Sequence, residues 1–251
     1  MMQRILTAVS AILLAAWPAS AEPTEIVVRV ISQDAKFVGD SMGGAEVVLR
    51  DSASGAVIAQ GVTAGGTGDT PSIMAATGRS PLRATDSAAS FRATVDIDRP
   101  TLVRVEVRGP LGFPQTIQRA SSERWLVPGL SAAAGEGWVV ELPGLAIRLL
   151  GSWQSGLRQG VATEMTAEVQ LMCGCPITPG GLWNAADYDV VMQIRRDDRV
   201  LQTVKLTFAE APGQFRARWT PGPAGTAEVT IIARNRITGN TGVLTEQGVI
   251  R

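Results

Sequence analysis

Apolar and polar residues alternate with a period of two along most of this chain. Every second residue in 103–107 is valine, and the residues between are charged. The same alternation recurs in 188–194 and in 214–219. Such a period is typical of antiparallel strands with one buried face. No stretch of about a dozen residues keeps the 3.6-residue period of an amphipathic helix, so the pattern predicts an all-β protein.

Turns rich in glycine, proline and asparagine divide this pattern into about a dozen strands. That number fits two antiparallel β-sandwich domains in tandem. Pro143 and Gly144 form the predicted boundary, which gives domains over 22–143 and 144–251. The second of these has about seven strands and resembles immunoglobulin-like sandwiches, although it lacks their paired cysteines on opposite sheets.

Three segments near the start of the first domain have the rhythm of short strands joined by Gly-Ala and Ser-Gly turns: 26–31, 44–50 and 54–63. They resemble the carboxypeptidase regulatory-like modules, which are small transthyretin-like sandwiches found as accessory domains in exported proteins. The resemblance implies such a β-sandwich over 22–143. It breaks at 64–90, a segment rich in Gly, Ala, Ser, Thr and Pro, whose composition predicts a flexible insertion.

The first 21 residues have the pattern of a cleaved signal peptide. Arg4 provides a positive start, 5–16 is almost wholly apolar, and Ala19-Ser20-Ala21 matches a cleavage site. An apolar run of about twelve residues is too short to span a bilayer, which needs about twenty. We therefore expect a periplasmic or secreted protein with no membrane span, beginning near Glu22.

Composition narrows the chemistry further. The chain has no histidine, which removes the commonest general base and the commonest metal ligand. A Ser-His-Asp or Cys-His catalytic arrangement is therefore impossible. Without Arg4 the chain has 22 basic and 23 acidic side chains, one fewer basic than the 23 of each in the full sequence, a net charge of −1. Nothing in this balance favours nucleic acid as a partner.

The two cysteines lie one residue apart, in Cys173-Gly174-Cys175, where a predicted strand ends before Pro176. In a regular strand their Cα atoms would be about 7 Å apart, at the far edge of disulfide geometry. Gly174 permits the bend that brings the sulfurs together. The pair is thus a candidate disulfide or redox site.

Three interpretations of the pair stay open. It is a local disulfide that an oxidising envelope permits, or a strained, exposed pair that exchanges with other thiols. The third is a Cu(I) site, because two thiolates with Met172, and with Met165 or Met192 nearby, would suit that soft ion. Apart from this copper option, no cofactor is expected.

These features together predict an exported, non-enzymatic accessory protein of the bacterial envelope, although thiol–disulfide exchange stays open. Its partner would be a protein in the cell envelope, with a redox or metal-containing assembly as one option. The 64–90 loop and the Cys-Gly-Cys turn are the expected contact surfaces. The alternative is a carbohydrate- or surface-binding module that stacks ligands on Trp183 and Tyr188, which requires at least two rings on one open face.

Overall fold

The computed structural model describes residues 21–151, 157–197 and 199–251. Residues 1–20 of the predicted signal peptide lie outside the described residues. The described chain is all-β, as the alternating pattern predicts. Within it, no helix is long and apolar enough to cross a membrane.

The part of the chain up to residue 143, here called the N-terminal half, forms two facing sheets. One has three strands in the order β4-β1-β7 and the other has four in the order β3-β2-β5-β6. All of these pairs are antiparallel except β1 with β7, which is parallel and departs from the purely antiparallel prediction. The strands are β1 (Glu22–Ser32), β2 (Glu46–Asp51), β3 (Val57–Val62), β4 (Phe91–Ile97), β5 (Thr101–Gly109), β6 (Gln118–Leu126) and β7 (Trp138–Leu142).

The part from residue 144 onward, the C-terminal half, forms one antiparallel sheet of seven strands in the order β14-β13-β10-β11-β12-β9-β8. Its two ends approach each other, since a Cβ atom at Gly242 in the last strand would lie 2.4 Å from the Leu145 carbonyl oxygen in the first. The sheet therefore folds around its own core. The strands are β8 (Leu145–Leu150), β9 (Thr163–Leu171), β10 (Tyr188–Arg196), β11 (Arg199–Phe208), β12 (Gln214–Trp219), β13 (Gly225–Asn235) and β14 (Thr241–Ile250).

Helical structure in the described residues is confined to short turns. The one α-helix there, α1 (Thr70–Met74), begins after Asp69, whose side chain accepts a hydrogen bond from the Ser72 amide. An aspartate in this position satisfies an otherwise unpaired amide of the first turn. Three-residue 3-10 turns occupy Asp40–Met42, Pro114–Thr116 and Ala185–Asp187.

The alternating residues of the sequence face the two cores. Val103, Val105 and Val107 on β5 are buried between the two sheets of the N-terminal half. On β10, Val190 and Met192 are buried in the C-terminal core. Burying each such side chain contributes about 2 kcal/mol, so these stripes decide which face of each strand turns inward.

The two halves exchange side chains across their junction. Ala35 of the N-terminal half packs in the C-terminal core, whereas Ala146 and Met172 of the C-terminal half pack in the N-terminal core. The chain leaves β7 at Leu142 and enters β8 at Leu145. The division into domains over 22–143 and 144–251 stays a prediction, because the two cores are interlocked at this point.

Hydrogen bonds from backbone amides of the C-terminal half cross the same junction. The Met172 amide donates to Ser32 Oγ at 3.1 Å, and the Ile147 amide donates to Thr116 Oγ1 at 3.2 Å. Ser32 and Thr116 are themselves buried. Because a buried amide left without a partner costs about 1–3 kcal/mol, these hydroxyls hold the two halves in one arrangement.

Candidate functional site

A disulfide joins Cys173 to Cys175, with their Cα atoms 5.4 Å apart. Gly174 between them adopts φ 76°, a left-handed conformation that glycine accepts readily. Its amide donates to the Leu171 carbonyl at 2.8 Å, which closes a tight turn directly after β9. Local bending thus brings the two Cα atoms closer than a regular strand would allow.

Both cysteines are buried. Cys173 is 1% exposed and Cys175 is 3% exposed, and both belong to the C-terminal core together with Ile177 and Ala35. The exchange interpretation expects an exposed pair, and the structure differs because the turn folds inward after β9. An external thiolate reaches these sulfurs only when the surrounding loop opens.

Met172 faces the opposite way from the cysteines. It is fully buried in the N-terminal core, and a Cβ atom at Gly144 would lie 2.7 Å from its Cε. Leu171 and Cys173 on either side of it pack in the C-terminal core, so the side chains alternate between the two cores as the chain leaves β9. The arrangement does not fit the copper interpretation, since the cysteine sulfurs are joined to each other and Met172 packs elsewhere. Among the described residues, no three His, Cys, Asp or Glu side chains are grouped to hold a metal.

The Cys-Gly-Cys turn contacts the N-terminal half. A Cβ atom at Gly174 would lie 2.8 Å from Sδ and 3.1 Å from Cγ of Met42, which is itself buried. The sequence predicts that this turn meets an external partner. In the structure it meets the 3-10 turn Asp40–Met42 of the same chain, because the loop after β9 folds over the junction.

Trp183 and Tyr188 do not form an open platform. Trp183 is partly buried, and its Nε1 donates to the Asp34 carbonyl across the junction at 2.9 Å. Tyr188 is 6% exposed and packs in the C-terminal core. The pKa of Tyr188 is raised, chiefly because the side chain is buried. The nearby carboxylates of Asp34 and Asp187 raise it further. This arrangement lacks the two rings on one open face that the carbohydrate-binding alternative requires.

The segment 64–90, here called the cover segment, follows a defined path over β1 and β7. Ile73 of α1 packs with Ala88 and Ala89 against Ile31 and Phe37. The sequence predicts a flexible insertion here because the segment has few large apolar side chains of its own. The structure shows where the missing apolar surface comes from, namely the end of β1 and the loop that follows it. The mobility of the segment stays a prediction.

Glu136 fastens the cover segment near its C-terminal end. Its carboxylate accepts hydrogen bonds from the Arg83 guanidinium at 2.9 Å and from the Ala84 amide at 3.0 Å. The Glu136 side chain is only 12% exposed. Burial raises the pKa of Glu136, but the hydrogen bonds from Arg83 and Ala84 outweigh burial and leave the pKa lowered. These residues are more than fifty positions apart and belong to no motif, so no signal in the sequence pairs them.

The outermost part of the cover segment lies in solvent. Leu82 is 74% exposed, and residues 77–80 are all exposed. Gly78 has no neighbouring atom within 4 Å of an added Cβ. A fixed base therefore presents an exposed tip over 75–82, which includes one large apolar side chain.

The outer face of the four-stranded sheet differs from this tip because ion pairs cover it. Arg50 pairs with Glu106 at 3.2 Å and Arg104 with Glu123 at 2.9 Å, each joining two strands. Their side chains are between about one third and one half exposed, so each pair contributes less than about 1 kcal/mol.

Comparison with known proteins gives fold neighbours at low similarity. No protein-family model and no curated protein matches the chain. Among solved structures, an engineered structural-genomics target is 18% identical over 50% of this chain and 24% of its own, with a TM-score of 0.32. Fibronectin(III)-like modules of Clostridium thermocellum CbhA are 11% identical over 94% of this chain and 92% of theirs, with a TM-score of 0.29.

A third structure, Dpr2 Ig1-Ig2 in complex with DIP-Theta Ig1-Ig3, is 12% identical over 91% of this chain and 100% of its own, with a TM-score of 0.28. Fibronectin(III)-like and Ig domains are thus among the structural neighbours. At such identities and TM-scores these neighbours carry no argument about function, which is argued from the residues of this chain.

Substitution of Gly174 tests whether the disulfide turn is docked against the N-terminal half. Gly174→Ala should lower the free energy of unfolding by about 2–4 kcal/mol, from the left-handed φ together with overpacking against Met42. Gly180→Ala is a matched control in the same loop, because Gly180 has φ 65° but no atom near an added Cβ. Gly180→Ala should lower the free energy of unfolding by only about 1–2 kcal/mol. Equal losses in chemical denaturation of the two variants would show that the contact with Met42 is unimportant.

Reduction of the disulfide tests its burial. A mild thiol reductant should open the Cys173–Cys175 bond much more slowly in native protein than in denaturant, because the sulfurs are accessible only when the loop opens. Alkylation of free thiols followed by mass spectrometry measures both rates. Gly174→Ala should accelerate the native reaction, and Gly180→Ala should do so less. Similar rates in native and denatured wild-type protein would instead support an accessible exchange site.

Acidification should release the contact made by Glu136. Because its pKa in the folded chain lies below the ordinary value of 4.5, the carboxylate stabilises the fold above that value and the stabilisation is lost as the pH falls through the folded pKa. Glu136→Gln should lower the free energy of unfolding by about 1–3 kcal/mol at neutral pH, and the difference should shrink in acid. Chemical denaturation at several pH values measures it.

The control for this experiment is Glu141→Gln, which removes an exposed carboxylate from β7. It should leave stability almost unchanged at every pH. In wild-type protein the amide shifts of Arg83 and Ala84 should titrate with a midpoint below 4.5, and in Glu136→Gln this transition should disappear. A midpoint at or above 4.5 would contradict the assigned contact.

Proposed function

We propose that this chain is an exported, non-enzymatic accessory protein of the bacterial envelope that binds a protein partner through the tip 75–82 of the cover segment. The observation that carries the proposal is the exposure of Leu82, 74%, on a segment whose base is held by Glu136 and by apolar packing. Binding residues are commonly found on loops that a rigid scaffold positions.

The anchored base favours binding because less of the segment must be ordered when a partner arrives. Ordering a free loop costs about 1–2 kcal/mol per residue in backbone entropy. In this segment Ile73, Ala88 and Ala89 are already packed, so that cost falls mainly on the exposed tip. An apolar side chain three residues after Arg79, in an otherwise small and polar loop, suits a partner surface with an apolar pocket and a polar rim.

In this proposal the cysteine pair stabilises the protein from within. The turn of Gly174 holds the loop after β9 against Met42, and the sulfurs are buried in the C-terminal core. Delivery of copper is not proposed, because Met172 faces the other core. The partner could also be a redox assembly that exchanges thiols with the Cys173–Cys175 disulfide. Such an exchange requires the loop around the disulfide to open.

Site-specific photocrosslinking in intact bacteria tests the proposal. A photoreactive residue in place of Leu82 should give a discrete adduct with one envelope protein, because that position would be covered in the complex. A photoreactive residue in place of Leu182 is a matched control, since Leu182 is 59% exposed but lies in the loop after the disulfide. It should give no such adduct, and Leu82→Asp should weaken the complex about tenfold or more through loss of a buried apolar contact.

Two outcomes would count against the proposal. Adducts of equal yield at both positions would indicate nonspecific contact, and absence of an adduct at Leu82 would remove the tip as the contact surface. The export component is checked on the same material. The crosslinked chain should be recovered from the periplasmic fraction with Glu22 at its N-terminus, and an intact Met1 in the cytoplasm would refute export.

A further inference from the structure

A cleft opens in the C-terminal half where β11 changes its neighbours. β11 pairs with β10 as far as Leu206, opposite Val190. From Thr207 it pairs with β12, and no residue of β11 lies opposite the first two residues of β10, Tyr188 and Asp189. The two strands therefore diverge and leave a gap in the sheet, here called the strand-switch cleft. Its volume is about 400 Å³, which lies within the range of small-molecule sites.

Aromatic side chains form the floor of the strand-switch cleft. Phe208 and Phe215 pack edge to face with their ring centroids 5.7 Å apart and an interplanar angle of 88°. Phe215 and Tyr188 are buried behind, whereas Phe208 is partly exposed. The divergence of the strands thus gives a flat apolar ligand access to the partly exposed ring of Phe208.

Two cations, Lys205 and Arg236, and the Asp189 carboxylate line the rim of the cleft. The Asp189 carboxylate lies 3.7 Å from Lys205 Nζ and 3.6 Å from Arg236 Nε, and Arg234 is its register partner on β13. Two cations thus lie within 4 Å of one carboxylate. The side chains of Lys205, Arg236 and Asp189 are 69%, 53% and 46% exposed, so a ligand can reach them. Both N···O distances are longer than that of a close hydrogen bond, which leaves donors on both cations for an added anion.

The disulfide-bearing loop provides one wall. Pro179 and 184–186 line the cleft. The Asn184 side chain accepts hydrogen bonds from the amides of Gly180 and Ala186 at 3.0 and 3.2 Å, and the Arg236 guanidinium donates to the Ala186 carbonyl. The wall is therefore held by its own hydrogen bonds as well as by the disulfide at the start of the loop.

We propose that the strand-switch cleft binds a small molecule that combines an aromatic ring with a carboxylate. The ring would pack on Phe208 and the carboxylate would interact with Lys205 and Arg236. The partly exposed Phe208 ring beside the cations Lys205 and Arg236 matches such a ligand, because the apolar contact and the ion pair act on opposite ends of one short molecule. This site lies apart from the tip of the cover segment and does not depend on the proposed protein partner.

Titration of the full chain with 3-phenylpropanoate, followed by amide NMR shifts, tests the proposal. We expect saturable shifts of Tyr188, Asp189 and Thr207, with a dissociation constant of about 1 mM for one ring and one ion pair. The uncharged analogue 3-phenylpropanamide should bind at least about threefold more weakly, and added salt should weaken only the acid.

Two charge variants sharpen the test. Lys205→Met should weaken binding of the acid at least about threefold with little effect on the amide. Arg218→Met is the matched control, since it removes an exposed cation from β12 outside the residues that line the cleft, and it should leave both affinities unchanged. Equal binding of acid and amide would overturn the proposal. So would shifts confined to other residues, or no saturable shift at concentrations up to about 10 mM.

Discussion

The exchange of buried side chains between the two halves is the constraint on which the rest of this structure depends. The side chain of Met172, from the C-terminal half, packs in the N-terminal core, and that of Ala35, from the N-terminal half, packs in the C-terminal core. Each half would expose apolar surface if the other were removed, at a cost of about 25 cal/mol per Å². The buried hydroxyls of Ser32 and Thr116 also fix how the two halves are oriented, because they accept hydrogen bonds from backbone amides of the C-terminal half.

The junction also explains why the disulfide lies where it does. A bridge between residues two apart restricts the unfolded chain far less than a long-range bridge would. Its effect is therefore local, and it holds the bend that places Gly174 against Met42. The same loop continues to the wall of the strand-switch cleft. The disulfide therefore restricts the loop both at the junction and at the cleft.

The cover segment has too few large apolar side chains to form a core of its own, and contacts with the rest of the chain define its path. Its own residues include few large apolar side chains, but Ile31 and Phe37 provide a surface on which Ile73 packs. Glu136 then fixes Arg83 and Ala84 through a network of charge-assisted hydrogen bonds. The base of the segment is held while its tip lies in solvent, which is the physical basis of the proposed partner contact.

The sequence by itself determined the all-β class and the inward face of strands such as β5 and β10, because a period of two has only one way to bury its apolar residues. It also located the tight turn at Cys173-Gly174-Cys175, since glycine permits the bend. Only the tertiary structure decided the burial of that turn, the opposite direction of Met172 and the pairing of Glu136 with Arg83. These depend on contacts between residues far apart in the chain, and local patterns contain no information about which distant surfaces meet.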